Sequence, residues 1–562
     1  MRERFGLGRL VVVLVAVVAG LGLGAAGAGT KDVIAAMDAL AAAAFEGDGP
    51  GAAVLVVRDG KPLLRKGYGL ADLELGVPVA PEMVFRIGSI TKQFTAVAVM
   101  MLVEEGKVAL ADPVTRFLPD YSTGDAVVTV EHLLNHTSGI PSYTNLPEWL
   151  PLQRKDMTLE ELIDLFRDRP LEFVPGERWK YNNSAYVLLG AVIEQASGMS
   201  YQEFVEQRIF EPLGMVRSYY GAADPIIPGR VRGYARGKDG FVNAPYLSMT
   251  QPYAAGSLLS TVDDLALWNQ GLLAGRLISG QSLGRVLTLA HLADGGGTGY
   301  GFGFFLTRYE GRRVVEHGGG IHGFVSYGLA VPEEKVYVAV LTNATGGGSE
   351  RNPETLAVKL AGLAMGVPYV EPAEKPLAPE TAAFLAGVYA GRDEVKVYIR
   401  VEDGKVLYQR TGGSRTEILA AAGDTFFFPG SFTRLVFDRD GLGAVTGLRV
   451  APRLGPAMAF ARTDEELPGE REVVAVPSGT LQRYVGEYEI SQGFTLTVTL
   501  DGEQLMTQAT GQERVAVYPE SGTAFFLKVV DARLVFEIDG TGEVTGLVLH
   551  QAGREFQARK LR

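Results

Sequence analysis

The chain has 562 residues, of which 47% are hydrophobic and 21% charged, so it has the composition of a globular protein with more than one domain. A formal net charge of −12 without basic runs argues against a nucleic-acid partner. The absence of cysteine excludes disulfides, thiol nucleophiles and cysteine-ligated metal sites. Only His132 and His136 have the i,i+4 spacing of metal ligands, and the glutamate of an HExxH motif is missing, so no metal or other cofactor is predicted.

Residues 1–28 are predicted to be a signal peptide for export. Three arginines precede an apolar run over residues 10–25, and Ala26-Gly27-Ala28 is a small-residue cleavage site. The alternative is a membrane anchor, because the run approaches the length that spans a bilayer. We favour cleavage, which predicts a periplasmic or extracellular protein that contacts a membrane only if this segment is retained.

Hydrophobic spacing predicts strands and helices throughout residues 29–366. The predicted strands are 52–57, its partner 61–68 across an Asp59-Gly60 hairpin turn, and 336–341. The predicted helices are 32–44, 90–105, 158–167, 184–197, 201–209 and 354–363. Strands at both ends with helices between them predict an α/β sheet domain with a helical lobe.

The C-terminal part of the sequence contains an internal repeat. Residues 367–380 form a proline-rich linker, and two β-rich copies, 381–465 and 481–562, follow with a second linker at 466–480. Eleven of the seventeen positions in 434–450 are identical to those in 533–549. Short strands with Asp-Gly turns predict two small antiparallel barrels or sandwiches, which carry no cluster of catalytic residue types.

Ser89 and Lys92 form an S-x-x-K motif at the start of the helix predicted to be buried. This spacing puts the lysine one turn from the serine on the same helix face. If burial lowers the lysine pKa from about 10.4, its amine can take the serine proton, and the helix N-terminus favours the developing negative charge. Alternatively, Ser89 only caps the helix and Lys92 is solvated.

Tyr181 and Asn183 lie two residues apart in a predicted loop and can point the same way. A tyrosinate near ammonium groups can act as a general base, and an amide side chain can hold a substrate carbonyl. On this segment alone the other interpretation is favoured, in which Asn183 or Ser184 caps the helix that follows.

His317 is followed by three glycines and begins a stretch that is predicted to be a strand running to Leu329. A glycine-rich strand edge lets a substrate backbone approach closely and frees a backbone N–H to stabilise an oxyanion. The alternative is a flexible turn.

Taken together, these motifs identify a family. Residues from about Asp32 to Gly366 resemble the serine β-lactamase-related hydrolases, which include class C β-lactamases, penicillin-binding proteins, D-aminopeptidases and related esterases. The three elements of that family, S-x-x-K, Tyr-x-Asn and Lys/His-x-Gly, occur in the family's order, and the segments 132–140 and 255–265 also match. The resemblance implies a β-lactamase-like α/β fold, with an antiparallel sheet flanked by helices and a helical lobe.

The resemblance also implies roles for the motif residues. Ser89 is the acylated nucleophile, Lys92 and Tyr181 share the general-base role, and water later hydrolyses the acyl-enzyme. Tyr181 also protonates the leaving group. The remaining implied contacts are Asn183, His317 and Gly319 with the substrate, and the backbone N–H groups of Ser89 and Gly320 with the oxyanion.

The histidine at position 317 departs from the lysine of β-lactamases and most penicillin-binding proteins. That lysine attracts a carboxylate, whereas a histidine with a pKa of about 6.5 is mostly neutral at neutral pH. We therefore favour the peptidase and esterase branches of the family over the β-lactamases.

Other candidate residues are assigned no catalytic role. Gly280–Gly284 fits the G-x-S-x-G nucleophile elbow, but it follows a polar turn instead of a buried strand, so Ser282 is rejected. His132 and His136 are expected to pack near the turn at residues 137–139. His322 is also left without a role.

The sequence thus predicts an exported serine hydrolase that acts through a Ser89 acyl-enzyme on small peptides, including D-residue or cell-wall peptides, or on esters. The alternatives are a β-lactamase and, from another class, a non-catalytic protein that binds peptides or cell-wall fragments. The expected partner is a small peptide, ester or β-lactam-like substrate, with no nucleic acid. The repeats resemble, more loosely, lipocalin-like barrels appended to some family members, which makes access control, partner binding or homo-oligomer formation their expected roles.

Overall fold

Six antiparallel strands form the central sheet of the first region in a computed structural model of the chain. The structure describes residues 29–561 except 46, 238–239, 347, 349–350, 393, 470, 492–493, 511, 513 and 552–553. The predicted signal peptide, residues 1–28, lies outside the described residues. Within the described part of the chain, no helix is both long and apolar enough to cross a membrane.

The first region, which ends with helix α11, contains both strands and helices. Its strands are β1 (Ala52–Arg58), β2 (Lys61–Tyr68), β3 (Leu70–Asp72), β4 (Val77–Pro78), β5 (Phe85–Arg86), β6 (Tyr219–Tyr220), β7 (Tyr234–Gly237), β8 (Gly240–Asn243), β9 (Leu258–Ser260), β10 (Phe305–Tyr309), β11 (Arg312–Ile321), β12 (Phe324–Val331), β13 (Val336–Thr342) and β14 (Ala344–Thr345). Its helices are α1 (Thr30–Ala44), α2 (Thr91–Glu104), α3 (Val130–Leu134), α4 (Leu159–Asp164), α5 (Asn183–Ser197), α6 (Tyr201–Val205), α7 (Glu211–Leu213), α8 (Tyr253–Gly256), α9 (Val262–Leu273), α10 (Gly280–Val286) and α11 (Pro353–Met365).

The central sheet has the strand order β10-β11-β12-β13-β1-β2. Strand β1 pairs with β13, and Ala52 lies opposite Thr342, so the two ends of the region meet in mid-sheet. The predicted hairpin turn is present: Asp59 and Gly60 have φ values of +50° and +73°, the left-handed pair that a tight hairpin needs.

Helices cover both faces of this sheet and create two cores. One core contains α2, α5 and α9 and most of the helical lobe, and α2 is buried on nearly every side, as its apolar sequence predicts. The other core packs α1 and α11 against the opposite face. Two helices differ from their predictions: α4 is shorter, and the predicted helix over 201–209 becomes π-helical at Glu206–Phe210.

One prediction about the sheet was wrong. The stretch from His317 to Leu329 was expected to be one strand, but it is a hairpin in which β11 ends at Ile321 and β12 begins at Phe324. The turn is possible because Gly323 adopts a φ of +79°, which favours glycine. His317 consequently lies in the middle of β11.

Two closed eight-stranded barrels follow, each preceded by a short helix, α12 (Pro379–Leu385) or α13 (Ser478–Arg483). The first barrel contains β15 (Gly387–Ala390), β16 (Lys396–Glu402), β17 (Lys405–Arg410), β18 (Thr416–Ala420), β19 (Thr425–Phe427), β20 (Arg434–Arg439), β21 (Val445–Ala451) and β22 (Met458–Arg462). The second contains β23 (Gly486–Ser491), β24 (Phe494–Asp501), β25 (Gln504–Ala509), β26 (Val515–Pro519), β27 (Ala524–Leu527), β28 (Ala532–Ile538), β29 (Val544–Gln551) and β30 (Arg554–Lys560). Each barrel has its own apolar core, as the repeat predicted.

Candidate active site

Ser89 lies in a short 3₁₀ turn, Gly88–Ile90, that leads directly into α2. Gly88 has a φ of +50°, and a Cβ at this position would lie 3.0 Å from the backbone nitrogen of Gly320. The turn that carries the serine therefore packs directly against the glycine-rich strand β11. The sequence motif thus places the Ser89 hydroxyl at the start of helix α2, beside strand β11.

Lys92 is completely buried next to the serine. Its Nζ lies 3.2 Å from Ser89 Oγ, 2.8 Å from Asn183 Oδ1 and 2.9 Å from the Ala255 carbonyl oxygen. Burial holds the pKa of this amine well below its ordinary value, which favours the neutral form. A neutral amine has two N–H groups for the amide and the carbonyl, and one lone pair that can accept the serine proton.

Asn183 faces Lys92 because another residue caps helix α5. The cap is Asn182, whose side-chain oxygen accepts a hydrogen bond from Ala185 N at 2.8 Å. The interpretation that Asn183 or Ser184 caps this helix was therefore wrong, because the cap is the residue before them. The Asn183 side chain is free to bond Lys92 with its oxygen and to donate its amide N–H to Thr144 Oγ1 at 3.0 Å.

Tyr181 packs its ring on the same lysine, with 4.8 Å between Lys92 Nζ and the ring centroid. Its hydroxyl is buried and has no hydrogen-bond partner among the described residues. Burial raises the pKa of this phenol above its ordinary value, and the nearby Ser89 hydroxyl opposes part of that rise. The raised pKa favours the protonated phenol form of Tyr181 at neutral pH.

His317 is buried on β11, and both of its ring nitrogens have partners. Nδ1 lies 2.6 Å from the Gly318 carbonyl oxygen, which can only accept, so this nitrogen carries the proton in the neutral ring. Nε2 then accepts a hydrogen bond from the Tyr300 hydroxyl at 2.9 Å. Burial is the main cause that lowers the pKa of His317 to about 3, so the ring is uncharged at neutral pH.

Gly319 and Gly320 differ in their surroundings. A Cβ at Gly319 would lie 1.9 Å from the Ile87 carbonyl oxygen and 2.4 Å from Ser326 Oγ, so only glycine lets β11 approach the serine turn this closely. A Cβ at Gly320 would meet nothing within 4 Å. Gly320 therefore has open space beside it, next to the Ser89 turn.

An aromatic cluster behind the site was not predicted from the sequence. Tyr300 has no motif around it, and its role is visible only from its hydrogen bond to His317. His136 was expected to be structural, and it does pack, but its ring lies 4.4 Å from that of Tyr181 and its Nδ1 accepts a hydrogen bond from Asn182 N at 3.2 Å. The match of segment 132–140 to the family was the one sequence feature that pointed to His136.

The remaining candidates lie away from the serine. His132 contributes to the N-terminal cap of α3, where its Nδ1 accepts from Thr129 N. His322 contacts Gln153 in the turn after β11, with 3.0 Å between Nε2 and Oε1. Ser282 lies inside helix α10 and does not form a nucleophile elbow. Among residues 29–561 as described, no group of three or more histidine and acidic side chains is placed to hold a metal ion.

Comparisons with known proteins show which family and which relatives the chain resembles. The Beta-lactamase family model matches residues 31–363, and a domain of unknown function (DUF3471) matches residues 470–562. Penicillin-binding protein 4* of Bacillus subtilis is 25% identical over 90% of this chain and 94% of its own length. A D-aminopeptidase of Gluconobacter oxydans is 29% identical over 67% of this chain and 77% of its own. The octameric penicillin-binding protein homologue from Pyrococcus abyssi has a TM-score of 0.51 and 28% identity, covering 76% of this chain and 99% of its own.

The fold, the buried lysine beside a serine and the relatives together define a serine hydrolase of the β-lactamase and penicillin-binding protein superfamily. Within it, the chain belongs to the beta-lactamase family, whose model covers more than half of its residues.

Proposed function

We propose that the protein hydrolyses small peptides or amides, including those with D-residues, and esters, through an acyl-enzyme on Ser89. The observation that carries this proposal is the fully buried Lys92 amine, 3.2 Å from Ser89 Oγ. A lysine with a lowered pKa is one of the few groups that can activate a serine without histidine.

Acylation begins with the neutral Lys92 amine. It takes the Ser89 proton while Oγ attacks the substrate carbonyl carbon, and the resulting ammonium donates hydrogen bonds to Asn183 Oδ1 and the Ala255 carbonyl. Tyr181 gives its phenolic proton to the leaving amine or alkoxide, and the Lys92 ammonium then returns a proton to the tyrosinate. The lysine amine is neutral again at the end of the step.

The oxyanion is held by the backbone N–H groups of Ser89 and Gly320, at the open space beside Gly88. In deacylation, water gives a proton to Lys92 and attacks the acyl carbonyl. Ser89 Oγ leaves and recovers a proton from the same lysine. The substrate is bordered by Asn183 on one side of Ser89 and by His317 and Gly319 of strand β11 on the other.

The uncharged His317 supports amides and esters over β-lactams as substrates. Its pKa is lowered to about 3, and both ring nitrogens are already bonded, so it offers no positive charge to a substrate carboxylate at neutral pH. The D-aminopeptidase of Gluconobacter oxydans is consistent with this choice.

The test compares four substrates with the purified full chain: D- and L-alanine p-nitroanilide, p-nitrophenyl acetate and a chromogenic cephalosporin. We expect turnover of the D-anilide and the ester, and Ser89→Ala should lower it at least about a thousandfold. Ser282→Ala is the matched control, because this serine also lies in a helix but away from Lys92, and it should leave turnover unchanged.

Each other outcome selects a different function. Rapid Ser89-dependent consumption of the cephalosporin would favour the β-lactamase alternative. No hydrolysis of any substrate, with no Ser89 adduct from a fluorophosphonate probe in the intact mass, would favour a non-catalytic peptide or cell-wall-binding protein. Turnover that survives in Ser89→Ala would overturn the assignment of the nucleophile.

We also propose that the protein is exported and that residues 1–28 are removed. The arginines, the apolar run and the small-residue site in the sequence support this. The N-terminal peptide of the protein recovered outside the cytoplasm should begin at Gly29. A mature chain that still begins at Met1 would favour the membrane-anchor alternative.

A homo-oligomer is a further proposal, supported by the octameric homologue from Pyrococcus abyssi. Light scattering of the full chain over a concentration series tests it. A mass equal to one chain at every concentration would contradict it.

A further inference from the structure

We propose that Arg453, which belongs to the first barrel, is a positioning residue for the hydrolytic site and acts through Glu316 on strand β11. The inference rests on the proposed function of that site. The first barrel would then contribute directly to the arrangement of the hydrolytic site.

Arg453 lies in the connection between β21 and β22, residues 452–457, which leaves the barrel and contacts the catalytic region. Leu454, the next residue, packs against the core formed by α1, α11 and the sheet. Arg453 is itself nearly buried, with a side chain that is 10% exposed. A guanidinium in such a place needs a partner of opposite charge, because burying an unpaired charge is strongly unfavourable.

The partner is Glu316, whose side chain is completely buried. Arg453 Nη1 lies 2.8 Å from Glu316 Oε2, and the Tyr327 hydroxyl donates to the same carboxylate oxygen at 2.8 Å. Arg453 Nη1 also donates to the Tyr327 oxygen at 3.1 Å. Two further groups complete the cluster: Thr307 Oγ1 donates to the other carboxylate oxygen, and Glu354 of α11 lies 3.4 Å from Arg453 Nη1.

This cluster lies directly behind the site. Glu316 precedes His317 on β11, and alternate strand residues face opposite sides of the sheet, so the carboxylate faces away from the serine while the imidazole faces it. Tyr327 lies opposite Gly318 in the sheet, and its ring contacts the position where Gly318 has no side chain. The Gly318 carbonyl in turn accepts the hydrogen bond from His317 Nδ1.

The same connection touches two more segments of the site. A Cβ at Gly299 would lie 3.2 Å from the backbone of Gly455, and the residue after Gly299 is Tyr300, which bonds His317. A Cβ at Gly455 would lie 3.5 Å from the ring of Trp179, two residues before Tyr181. The connection from the first barrel therefore contacts three segments that each carry a site residue.

The physical expectation follows from the buried carboxylate. Without Arg453, the buried Glu316 side chain loses its charged partner and retains only the two hydroxyl donors of Thr307 and Tyr327. The strand must then shift to admit water or a counterion, and it is the strand that carries His317 and the oxyanion position Gly320. The reaction rate should fall more than the substrate affinity, since the oxyanion is made only in the transition state.

The test uses the full chain and the substrate that the wild type turns over best. Arg453→Met should lower kcat about tenfold with a smaller change in KM. The double variant Arg453→Met/Glu316→Gln should recover several-fold over Arg453→Met, because the carboxylate that needs the arginine is gone, and Arg453→Lys should retain more activity than Arg453→Met. The matched control is Arg449→Met, on β21 of the same barrel, whose guanidinium pairs with Asp438 at the surface; its kcat should equal that of the wild type.

Two results would overturn the proposal: equal kcat values for Arg453→Met and Arg449→Met, or no recovery in the double variant. If Arg453→Met does not fold, as judged by its melting curve, the double variant is compared with the wild type, and a loss of kcat of about tenfold or more in the double variant contradicts the role, because the carboxylate that needs the arginine is gone. A wild type without Ser89-dependent turnover defeats the proposed function itself and removes this inference with it, whereas an active wild type with an unaffected Arg453→Met defeats the inference alone.

Discussion

The two C-terminal barrels have almost the same interior and different surroundings. In the first, the rings of Tyr389 and Phe437 lie 5.9 Å apart at 65°, and in the second, the corresponding rings of Tyr488 and Phe536 lie 5.6 Å apart at 65°. Each tyrosine hydroxyl also donates to a backbone carbonyl four residues earlier, that of Leu385 or Tyr484. The two repeat units therefore share both the barrel fold and the packing of these core aromatic residues.

The difference lies in one connection. In the first barrel β21 and β22 are joined by residues 452–457, whereas in the second β29 and β30 are joined by 552–553, an Ala-Gly pair. The longer connection carries Arg453 and Leu454 into the catalytic region. The described contacts of the second barrel are instead with the first barrel and the linker before it, such as Arg471 with Asp531 at 3.2 Å. Equal cores thus give equal folds, and a few added residues decide which barrel takes part in the site.

The largest effects should come from removing the central tyrosine of each barrel. Tyr389→Ala and Tyr488→Ala each delete a buried aromatic side chain, which typically costs about 3–5 kcal/mol in a barrel's unfolding free energy. Both variants should show an early unfolding transition in calorimetry. Only Tyr389→Ala should also lose Ser89 labelling by a fluorophosphonate, because the first barrel supports β11. Equal loss of labelling in the two variants would break the distinction between the barrels.

The next largest effect tests the connection alone. Replacing 452–457 with the Ala-Gly pair of the second barrel leaves Glu316 buried without its arginine, which should destabilise the interface by about 3 kcal/mol. We expect a lower melting temperature and at least tenfold slower hydrolysis. The reciprocal variant, with 452–457 inserted in place of 552–553, should change neither. A loop exchange that leaves hydrolysis intact would show that the first barrel is only tethered.

Part of this comparison could be made from the sequence. The repeat with its identical positions between 434–450 and 533–549 predicted two similar β units, and three motifs placed the residues now found around Ser89. These features are local, so neighbouring residues are enough to recognise them. The strand predicted from His317 to Leu329 failed because a single glycine at 323 turns the chain, and glycines were already abundant there.

The interface could not be predicted for a physical reason. Glu316 and Arg453 lie in segments that are far apart in the sequence, and an ion pair between such segments leaves no periodicity in either one. Arg453 also lies just after the matched positions 434–450, in the connection where the two copies differ in length. The protonation states of Lys92 and Tyr181 likewise depend on burial, which motif spacing does not reveal.

A smaller effect should appear in the pH dependence of stability at the interface between the catalytic region and the first barrel. Burial raises the pKa of Glu354, the second carboxylate at the Arg453 interface, and Arg453 opposes that rise only in part. An acid whose pKa is higher in the folded state stabilises the fold most below its ordinary pKa of about 4.3, and this contribution is lost as the pH rises through the folded value. Glu354→Gln should therefore gain stability relative to the wild type as the pH rises from 4 to 7, measured by urea unfolding.

Glu354→Asp is the control for that series, since it keeps an ionisable group at the interface and should retain a pH dependence like that of the wild type. A Glu354→Gln variant that loses stability relative to the wild type as the pH rises would mean that the ion pair with Arg453 outweighs the burial of the carboxylate.

The smallest effect concerns a surface pair that the barrels do not share. Asp438 of the first barrel pairs with Arg449 at 2.7 Å, with both side chains exposed, whereas the equivalent Glu537 of the second accepts a hydrogen bond from Gln557 at 2.7 Å. Because exposed ion pairs are screened and cost side-chain entropy, Arg449→Gln should shift the melting temperature of the first barrel by no more than about 2 °C. The shift should shrink further in high salt. A large, salt-resistant shift would mean that charges on this barrel act cooperatively, and the tenfold loss expected for Arg453→Met could then no longer be assigned to the buried contact with Glu316.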